Sequence, residues 1–476
     1  MVTVRFAPSP TGYLHIGGLR TALYNYLFAR HNKGKFLLRI EDTDRTRYVE
    51  GAIEKLIEVL KWCNLEYDNI PIIQSQRLDI YKKYVDELLQ KDFAYRCFCT
   101  SERLEEMRKN QIAKKQPPKY DRCCKDITKE ESEKMAKEKT FTVRMKMPSE
   151  EIIFNDVIRG DVKFHGSLID DQIILKTDGY PTYHLANVVD DHLMDVTHVI
   201  RGEEWLSSTP KHIILYKYFG WTPPVFAHLP LLLNSDKSKL SKRQGDVAVE
   251  DYRDKGYLQE ALLNYIALLG WSTEDSQQIF TKENLIEKFS LERCGKSGAI
   301  FDIQKLIWMN GEYIRKLSID ELTNRAIPFI QKAGFDTSNF DFLKKCILLE
   351  QDKIKVLSDV PHLIDFFLKD DIIYDEKAMQ KVIKKEGTST TLSTSIADIL
   401  KDIINVYSQI QNFSAQEIES ETRKYTESKS LKTSQIFHPV RVAVSGRTEG
   451  PSLFHMLELL GKEKVLLRIT KIIDTL

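Results

Sequence analysis

An excess of charge of either sign is missing from this sequence of 476 residues: 70 Lys and Arg face 69 Asp and Glu, for a net charge of +1. That balance excludes a protein-wide positive field, so any nucleic acid must be held by local basic patches. Long apolar runs are missing as well. None approaches the ~18 residues that a membrane span needs, and the opening Met-Val-Thr-Val-Arg-Phe-Ala-Pro lacks the apolar stretch of a secretory signal. No repeat with a period of about 20–50 residues marks a solenoid. The composition, 42% hydrophobic, 29% charged and 10% aromatic, excludes a disordered tail, a collagen and a coiled-coil rod. Cysteine is scarce and odd in number, seven in all, which excludes a disulfide scaffold at this length. Four of them, Cys97, Cys99, Cys123 and Cys124, crowd into residues 97–124. A reducing, cytoplasmic setting is expected, and the cluster reads as metal-binding before it reads as disulfides.

What is there begins with a βαβ pattern. Val2 to Ala7 is a short β-branched run that ends at Pro8, and Pro-Ser-Pro-Thr-Gly (8–12) must be a loop. Leu19, Ala22, Leu23, Tyr26 and Leu27 then recur at helical spacing until Asn32 to Lys35. Phe36 to Glu41 reads as a buried strand. Strand, helix and strand over about 40 residues predict a parallel sheet with a right-handed crossover. Further helices are expected at 52–62 and 77–91. From Cys97 to about Ser167 the pattern changes to a Lys/Glu-rich segment (102–139) and short strands (Phe141 to Met145, Ile152 to Val157, Asp161 to Phe164), which looks like an insertion. Alternation resumes with Gln172 to Lys176, a helix around Tyr183 to Met194 and the strand Val196 to Ile200. Leu258 to Leu269 is an amphipathic helix. Beyond about 320 the chain reads as nearly all helical, with a Ser/Thr-rich break at 387–396. At roughly 100–200 residues per domain, about three domains fit this length.

Two loops carry chemistry. Residues 7–18, Ala-Pro-Ser-Pro-Thr-Gly-Tyr-Leu-His-Ile-Gly-Gly, join a strand to a helix start, where free N–H groups and the positive end of the helix dipole collect. Gly17 and Gly18 would let a ligand approach the backbone, Gly12 allows a tight turn, and His15 could hydrogen-bond a phosphate oxygen. A structural glycine turn is the alternative. Asp236-Lys-Ser-Lys-Leu-Ser-Lys-Arg-Gln-Gly245 follows the apolar run Leu229 to Leu233. Its lysines suit a cationic loop that closes on a polyphosphate; a solvated basic turn is the alternative.

Together the two loops are specific. His15-Ile16-Gly17-Gly18 resembles the HIGH element of class I aminoacyl-tRNA synthetases, and Lys239-Leu-Ser-Lys-Arg243 resembles their lysine loop. The strings Arg-Phe-Ala-Pro-Ser-Pro-Thr-Gly (5–12), Arg-Ile-Glu-Asp-Thr-Asp (39–44), Tyr-Pro-Thr-Tyr-His-Leu-Ala-Asn-Val-Val-Asp-Asp (180–191), Val-Ile-Arg-Gly-Glu-Glu-Trp (199–205), Gly-Tyr-Leu-Gln-Glu-Ala-Leu-Leu-Asn-Tyr (256–265) and Val-Ser-Gly-Arg-Thr-Glu-Gly-Pro-Ser-Leu-Phe (444–454) are similar to the bacterial glutamyl-tRNA synthetases. The likeness therefore covers nearly the whole chain. Glycine in the fourth HIGH position departs from the wider class but is usual in this branch.

The resemblance implies an α/β, Rossmann-like catalytic domain in two halves (1–96 and 171–245). It also implies an inserted acceptor-binding subdomain at 97–170, a helical stem-contact domain at 246–320 and an α-helical anticodon-binding domain at 321–476. It implies L-glutamate, ATP with Mg²⁺, and tRNA(Glu) as partners, with tRNA(Gln) as a second acceptor in bacteria that lack a glutaminyl enzyme, and a monomer. Glutamate would attack the ATP α-phosphorus to give glutamyl-adenylate, and the 2′-hydroxyl of the terminal tRNA adenosine would take the glutamyl group. His15 and Lys242, with Lys239 as helper, would stabilise charge on the phosphates; Thr11, Gly12, Gly17, Gly18 and Trp205 would complete the ATP site. Charge alone suggests the amino-acid pocket. Arg5 and Arg201 are natural forks for two carboxylates, and Glu41, with Ser9 nearby, suits the ammonium. By the resemblance, Tyr183, Asn187 and Glu204 join them. Alternatively, Arg201 and Glu204 simply pair along a helix, and Trp205 is a core residue.

Some bacterial members carry Zn²⁺ in the insertion, on Cys-x-Cys followed by Tyr-x-x-x-Cys-x-His. Here Cys97, Cys99, Cys124 and Asp126 match that set, with Cys123 as the rival fourth ligand and reduced, metal-free thiols as the alternative. Two other functions were weighed: a small-molecule nucleotidyltransferase sharing the HIGH-type loop, which leaves the helical back half unexplained, and a catalytically silent RNA-binding module, which leaves His15, Lys242, Arg5 and Glu41 unexplained.

Overall fold

The structure, a computed structural model, describes residues 1–240, 248–383 and 395–476. The expected break at 387–396 falls mostly outside them. The chain forms two compact units, residues 1–253 with 259–303, and residues 254–258 with 304–476. The stem-contact domain expected at 246–320 is thus divided between the two. Among the described residues no helix is long and apolar enough to cross a membrane.

In the first unit the β-branched run becomes β1 (Thr3–Phe6), buried along its whole length. The chain then turns through the proline loop into α1 (Ile16–His31) and returns as β2 (Lys35–Ile40), parallel to β1. Helix α1 buries residues around most of its circumference, Leu19, Leu23, Tyr24 and Leu27 among them. It packs on β1, β2 and the helices Gln259–Ala267 and Lys282–Lys288. Next come α2 (Ala52–Trp62), β3 (Ile72–Ile73), α3 (Leu78–Gln90) and β4 (Ala94–Cys97). The exposed helices α4 (Ser101–Ala113) and α5 (Lys129–Glu138) are followed by β5 (Thr142–Met145), β6 (Glu151–Asp156), β7 (Gly160–His165) and β8 (Ile173–Leu175). The unit continues through α6 (Tyr183–Leu193), β9 (His198–Gly202), α7 (Thr209–Phe219) and β10 (Val225–Leu229).

Strands β1, β2 and β3 form one parallel ladder, and β9, β10 and β6 another with β7 antiparallel at its edge. The N–H of Thr197 donates to Thr3 O at 2.9 Å and joins the ladders at β1 and β9. The arrangement is the open α/β sheet expected. Strands β4, β5 and β8 make a separate antiparallel sheet.

Two readings change here. The strand expected at Val196 to Ile200 runs two residues later, which brings Arg201 into β9. Residues 151–165, assigned by their alternation to the insertion, belong to the main sheet: Val157 N–H donates to Phe226 O at 2.9 Å beside β10. Alternation reports that one face of β6 is buried, at Ile152, Phe154 and Asp156. It does not say which neighbour that strand pairs with.

The second unit is helical throughout its described length, from Gln304 to the last helix, Lys462–Ile473. Arg468 is 1% exposed and ties its own helix to two other segments by donating to the carbonyls of Val444 and of Phe366 and Lys369.

Candidate active site

A cavity of about 690 Å³ opens beside the C-terminal ends of β1, β2 and β9 and the N-terminus of α1, the end at which parallel α/β sheets bind ligands. Its lining includes Arg5, Ser9, Thr11, Gly12, His15, Gly17, Gly18, Glu41, Tyr183, Asn187, Arg201, Glu204, Trp205 and Lys239. Of the residues assigned to glutamate and nucleotide, only Lys242 is not among them. It lies at 241–247, outside the described residues.

His15 is the N-cap of α1. Its extended backbone (φ −88°, ψ 159°) lets Nδ1 accept the N–H of Gly18 at 3.1 Å. A backbone N–H only donates, so Nδ1 must be the unprotonated nitrogen and the neutral ring carries its hydrogen on Nε2. The cap thus sets the tautomer that leaves the ring an N–H donor on Nε2. The two glycines have a role beyond ligand approach. A Cβ on Gly17 would stand 3.0 Å from His15 Cε1 and 3.1 Å from Nδ1, and one on Gly18 would stand 2.6 Å from Leu14 Cδ1. They make room for the cap itself.

Both ends of the lysine segment are fixed to this wall. Leu240 N–H donates to Leu232 O at 2.9 Å, and Lys239 bridges to Leu233. On the far side Val249 N–H donates to Leu14 O at 2.9 Å, and Ala248 bridges to His15.

The opposite wall is built on buried charge. Arg5 is not a free fork: it donates from Nε to Asp191 Oδ1 at 2.9 Å and from Nη2 to Oδ2 at 3.3 Å. Arg39 donates to Asp191 at 2.6 Å and to Glu41 at 2.9 Å. The amide of Asn187, oriented by this network, accepts from Arg39 at 2.9 Å and donates to Asp191 at 3.2 Å. Burial pushes the Asp191 carboxyl up, but Arg39 and Arg5 outweigh it and hold the group below its ordinary value. Burial dominates at Glu41, whose carboxyl is raised despite Arg39. Sequence reasoning missed Arg39 and Asp191 as site residues. The available signal was a charge inside an otherwise apolar strand, and an acid pair after Val188-Val189.

Arg201 differs. On β9 it cannot form a helical pair with Glu204, and it has no carboxylate within 4.0 Å among the described residues. Its guanidinium meets the Tyr183 hydroxyl at 2.8 Å, Thr209 Oγ1 at 2.9 Å and His228 Nε2 at 3.1 Å. Trp205 is 39% exposed and leans on Tyr183 with ring centroids 4.3 Å apart, at the cavity edge and not in the core.

Away from the cavity, the sulfurs of Cys97, Cys99 and Cys124 lie within 4.8 Å of one another. Cys99 Sγ is 3.6 Å from Cys124 Sγ and 3.3 Å from Cys123 Sγ, and Cys123 and Cys124 are 3.7 Å apart. Tetrahedral Zn–S bonds of about 2.3 Å imply S···S edges of about 3.8 Å, so the donor set fits Zn²⁺. Asp126 does not join the group. Burial raises the Cys97 thiol, but the Tyr120 hydroxyl, the Cys99 N–H and Arg144 outweigh it and hold it below its ordinary value, which favours the thiolate that a metal needs.

Comparison with known proteins follows this geometry. A family model described as "tRNA synthetases class I (E and Q), catalytic domain" matches residues 1–308, and one described as "Anticodon binding domain" matches residues 321–473. The glutamate–tRNA ligase 1 of Caldanaerobacter subterraneus subsp. tengcongensis is 47% identical, covering 99% of this chain and 97% of that protein. The glutamate–tRNA ligase of Elusimicrobium minutum is 47% identical, covering 99% and 98%. Among solved structures, the glutamate tRNA ligase from Elizabethkingia meningosepticum in complex with its amino acid superposes with a TM-score of 0.91 at 36% identity, covering 100% of this chain and 99% of the other.

Proposed function

The chain belongs to the class I tRNA synthetases of the glutamate and glutamine branch, and on that premise we propose how its cavity divides the work of joining glutamate to tRNA. The reaction is glutamate–tRNA ligation: ATP activates L-glutamate, and the glutamyl group passes to tRNA. The observation that carries the division of labour is that one cavity has a helix N-terminus with a tautomer-fixed histidine on one wall and buried, oppositely charged groups on the other.

Glutamate's ammonium pairs with Glu41, with the Ser9 hydroxyl nearby. Its carboxylates are addressed by the remaining N–H groups of Arg5 and by Arg201 with the Tyr183 hydroxyl. Asn187 holds Glu41 and Asp191 apart through Arg39, and Glu204 stands at the rim. The triphosphate, which brings its Mg²⁺ with it, lies along Thr11, Gly12, Gly17 and Gly18, with the adenosine against Trp205. When the glutamate carboxylate attacks the α-phosphorus, a P–O bond forms to it, the bond to the leaving pyrophosphate breaks, and negative charge grows on the phosphoryl oxygens. The Nε2–H of His15, the α1 N-terminus and the ammonium groups of Lys242 and Lys239 offset that charge. No side chain acts as a covalent nucleophile.

Residues 321–476 bind the anticodon region of tRNA(Glu), and the exposed α4 with the basic residues that follow it, Lys114, Lys115 and Lys119 among them, meets the acceptor end. Zn²⁺, held by Cys97, Cys99 and Cys124, fixes the fold of that insertion. Neither Cys123 nor Asp126 belongs to the group of three mutually close sulfurs, but the fourth ligand is Cys123 in preference to Asp126, because its sulfur lies beside two of the three, Cys99 and Cys124. The protein acts as a cytoplasmic monomer.

Charging of purified tRNA(Glu) and tRNA(Gln) with labelled glutamate tests this reading. Glutamylation of tRNA(Glu) is expected, and the second tRNA decides whether the enzyme is discriminating. Lys242→Ala should slow the reaction well over tenfold with the fold intact, a loss of more than about 1.4 kcal/mol of transition-state stabilisation; a rate near wild type ends that assignment.

A further inference from the structure

The environment of Arg201 is unlike that of Arg5 and Arg39, and unlike that of Arg20, which also lines the cavity but donates to the backbone carbonyls of Leu269 and Pro230. Arg5 and Arg39 are tied to carboxylates, whereas Arg201, 5% exposed, is surrounded by neutral groups. Its Nε–H points at His228 Nε2 (3.1 Å), Nη1 at the Tyr183 hydroxyl (2.8 Å) and at His212 Nδ1 (3.4 Å), and Nη2 at Thr209 Oγ1 (2.9 Å). Behind His228 stands Asp156, with Oδ2 2.6 Å from Nδ1 and both residues fully buried.

We propose that Asp156 and His228 are positioning residues for Arg201, clamping its guanidinium through a ring that must stay neutral, so that its charge is left for a carboxylate of the bound amino acid. This rests on the ligase reading of the cavity.

A guanidinium N–H only donates, so His228 Nε2 must accept. An ionised carboxylate only accepts, so His228 Nδ1 must carry the hydrogen that it shares with Asp156. One neutral tautomer satisfies both ends. Burial lowers the pKa of His228 despite Asp156, and Asp156 stays below its ordinary value because His228 and backbone N–H groups outweigh burial. The same logic passes through His212. Its Nδ1 accepts from Arg201, so its Nε2–H donates to His184 Nδ1 at 3.1 Å. Two imidazoles thus contact Arg201 without placing a second positive charge beside it, and neither cancels the charge it has. A buried cation with no carboxylate in direct contact is costly. A ligand carboxylate removes that cost, and a neutral amide in its place does not.

Asp156 offers a directed test because its two oxygens have different partners. Oδ1 accepts from the N–H groups of Ile158 (3.0 Å), Arg159 (2.9 Å) and His228 (3.3 Å), and Oδ2 faces the ring. In Asp156→Asn those backbone donors keep the carbonyl on the Oδ1 side and turn the NH2 toward His228 Nδ1. The ring must then accept at Nδ1 and carry its hydrogen on Nε2, directly against Arg201 Nε–H. His228→Gln, whose side-chain carbonyl can take the Arg201 Nε–H, is the conservative companion.

In the full-length enzyme we expect Asp156→Asn to raise the KM for glutamate by about tenfold or more, because a hydrogen bond to a charged group has become a donor–donor contact. The KM for ATP and kcat should move by less than about threefold, and glutamate should lose part of its preference over glutamine. His228→Gln should keep most of the wild-type glutamate KM. Side-chain ¹⁵N NMR of the histidines should show His228 with Nε2 unprotonated in the wild type and protonated in Asp156→Asn. A wild-type ring protonated at Nε2 overturns the inference. So does an unchanged glutamate KM in Asp156→Asn, or an even fall in kcat that leaves both KM values alone, which is what a purely structural role would give. Wild-type protein that forms no glutamyl-tRNA at all overturns the function instead, and the NMR tautomer still decides the clamp.

Discussion

Replacing Asp191 with Asn removes one negative charge from between two guanidiniums without changing shape. Asp191 is 1% exposed, 2.6 Å from Arg39 and 2.9 Å from Arg5. In the variant Glu41 alone faces both cations. Removing one partner from a buried ion pair costs about 3–5 kcal/mol, because the partner's desolvation is no longer offset. For a unit of this size each kcal/mol lowers Tm by roughly 2 °C, so the transition of the first unit should fall by about 6–10 °C at pH 7, read by calorimetry. The glutamate KM should rise as well, because Arg5 loses the carboxylate that orients it. The pH dependence gives an independent check. The carboxyl of Asp191 is held below its ordinary value by Arg39 and Arg5, so its stabilisation is present above about 3.9, its unfolded pKa, and is lost as pH falls through the lower folded value. Asp191→Asn should lack that acid-side loss. Arg39→Met combined with Asp191→Asn removes one of the stranded cations and should recover part of the deficit. A Tm drop below about 2 °C, with an unchanged acid limb, would show that the charges are not coupled as their geometry says.

Gly17→Ala should leave α1 intact, since alanine favours helix, but the added Cβ would meet the His15 ring at 3.0 Å. We expect kcat/KM for ATP to fall about tenfold, the equivalent of about 1.4 kcal/mol, and steady-state kinetics near wild type would remove the imidazole from the mechanism. Burial raises the Glu41 carboxyl above its ordinary value. Protonated Glu41 cannot pair with an ammonium, so the glutamate requirement should rise as pH falls through that elevated pKa and level off above it; a KM flat across acid pH refutes the pairing. Metal analysis of protein purified without added metal should find about one Zn²⁺ per chain, and Cys124→Ser should lose it. Loss of zinc in Asp126→Ala but not in Cys123→Ser would reverse the choice of fourth ligand.

Local pattern carried much of this fold. The helix read at 52–62 is Ala52–Trp62, and the one read at 77–91 is Leu78–Gln90, because each shows an apolar stripe that only a helix can bury. The cavity's lining was legible because its residues cluster in a few short strings at the ends of β1, β2 and β9 and at the starts of α1 and α6. What pattern could not give is pairing. Nothing in Val196 to Gly202 reports its register against β10, and a shift of two residues moved Arg201 from just past the expected strand end into the strand itself. Nothing in Glu151–Asp156 reports a parallel neighbour seventy residues downstream. Asp156, Asp191 and His228 become site residues only through contacts across that distance, and a charged side chain in an apolar element has the same spelling whether it meets a partner or water.

The charges at the amino-acid end of the cavity close in a way that separates glutamate from its amide. Arg5 and Arg39 carry two positive charges, and Asp191 and Glu41 carry two negative ones, so this group is neutral within itself. Arg201 adds one positive charge whose direct partners, two imidazoles, a phenol and a hydroxyl, are neutral, with Asp156 one residue further off behind His228. Free glutamate, with two carboxylates and one ammonium, carries one net negative charge and supplies the carboxylate that Arg201 lacks in direct contact. Glutamine carries none and leaves a desolvated guanidinium unanswered, which costs far more than the loss of one hydrogen bond. Discrimination therefore comes from the direct pairing of Arg201 with a ligand carboxylate, and any substitution that hands Arg201 a carboxylate of the protein's own would erase it while leaving the shape of the cavity untouched.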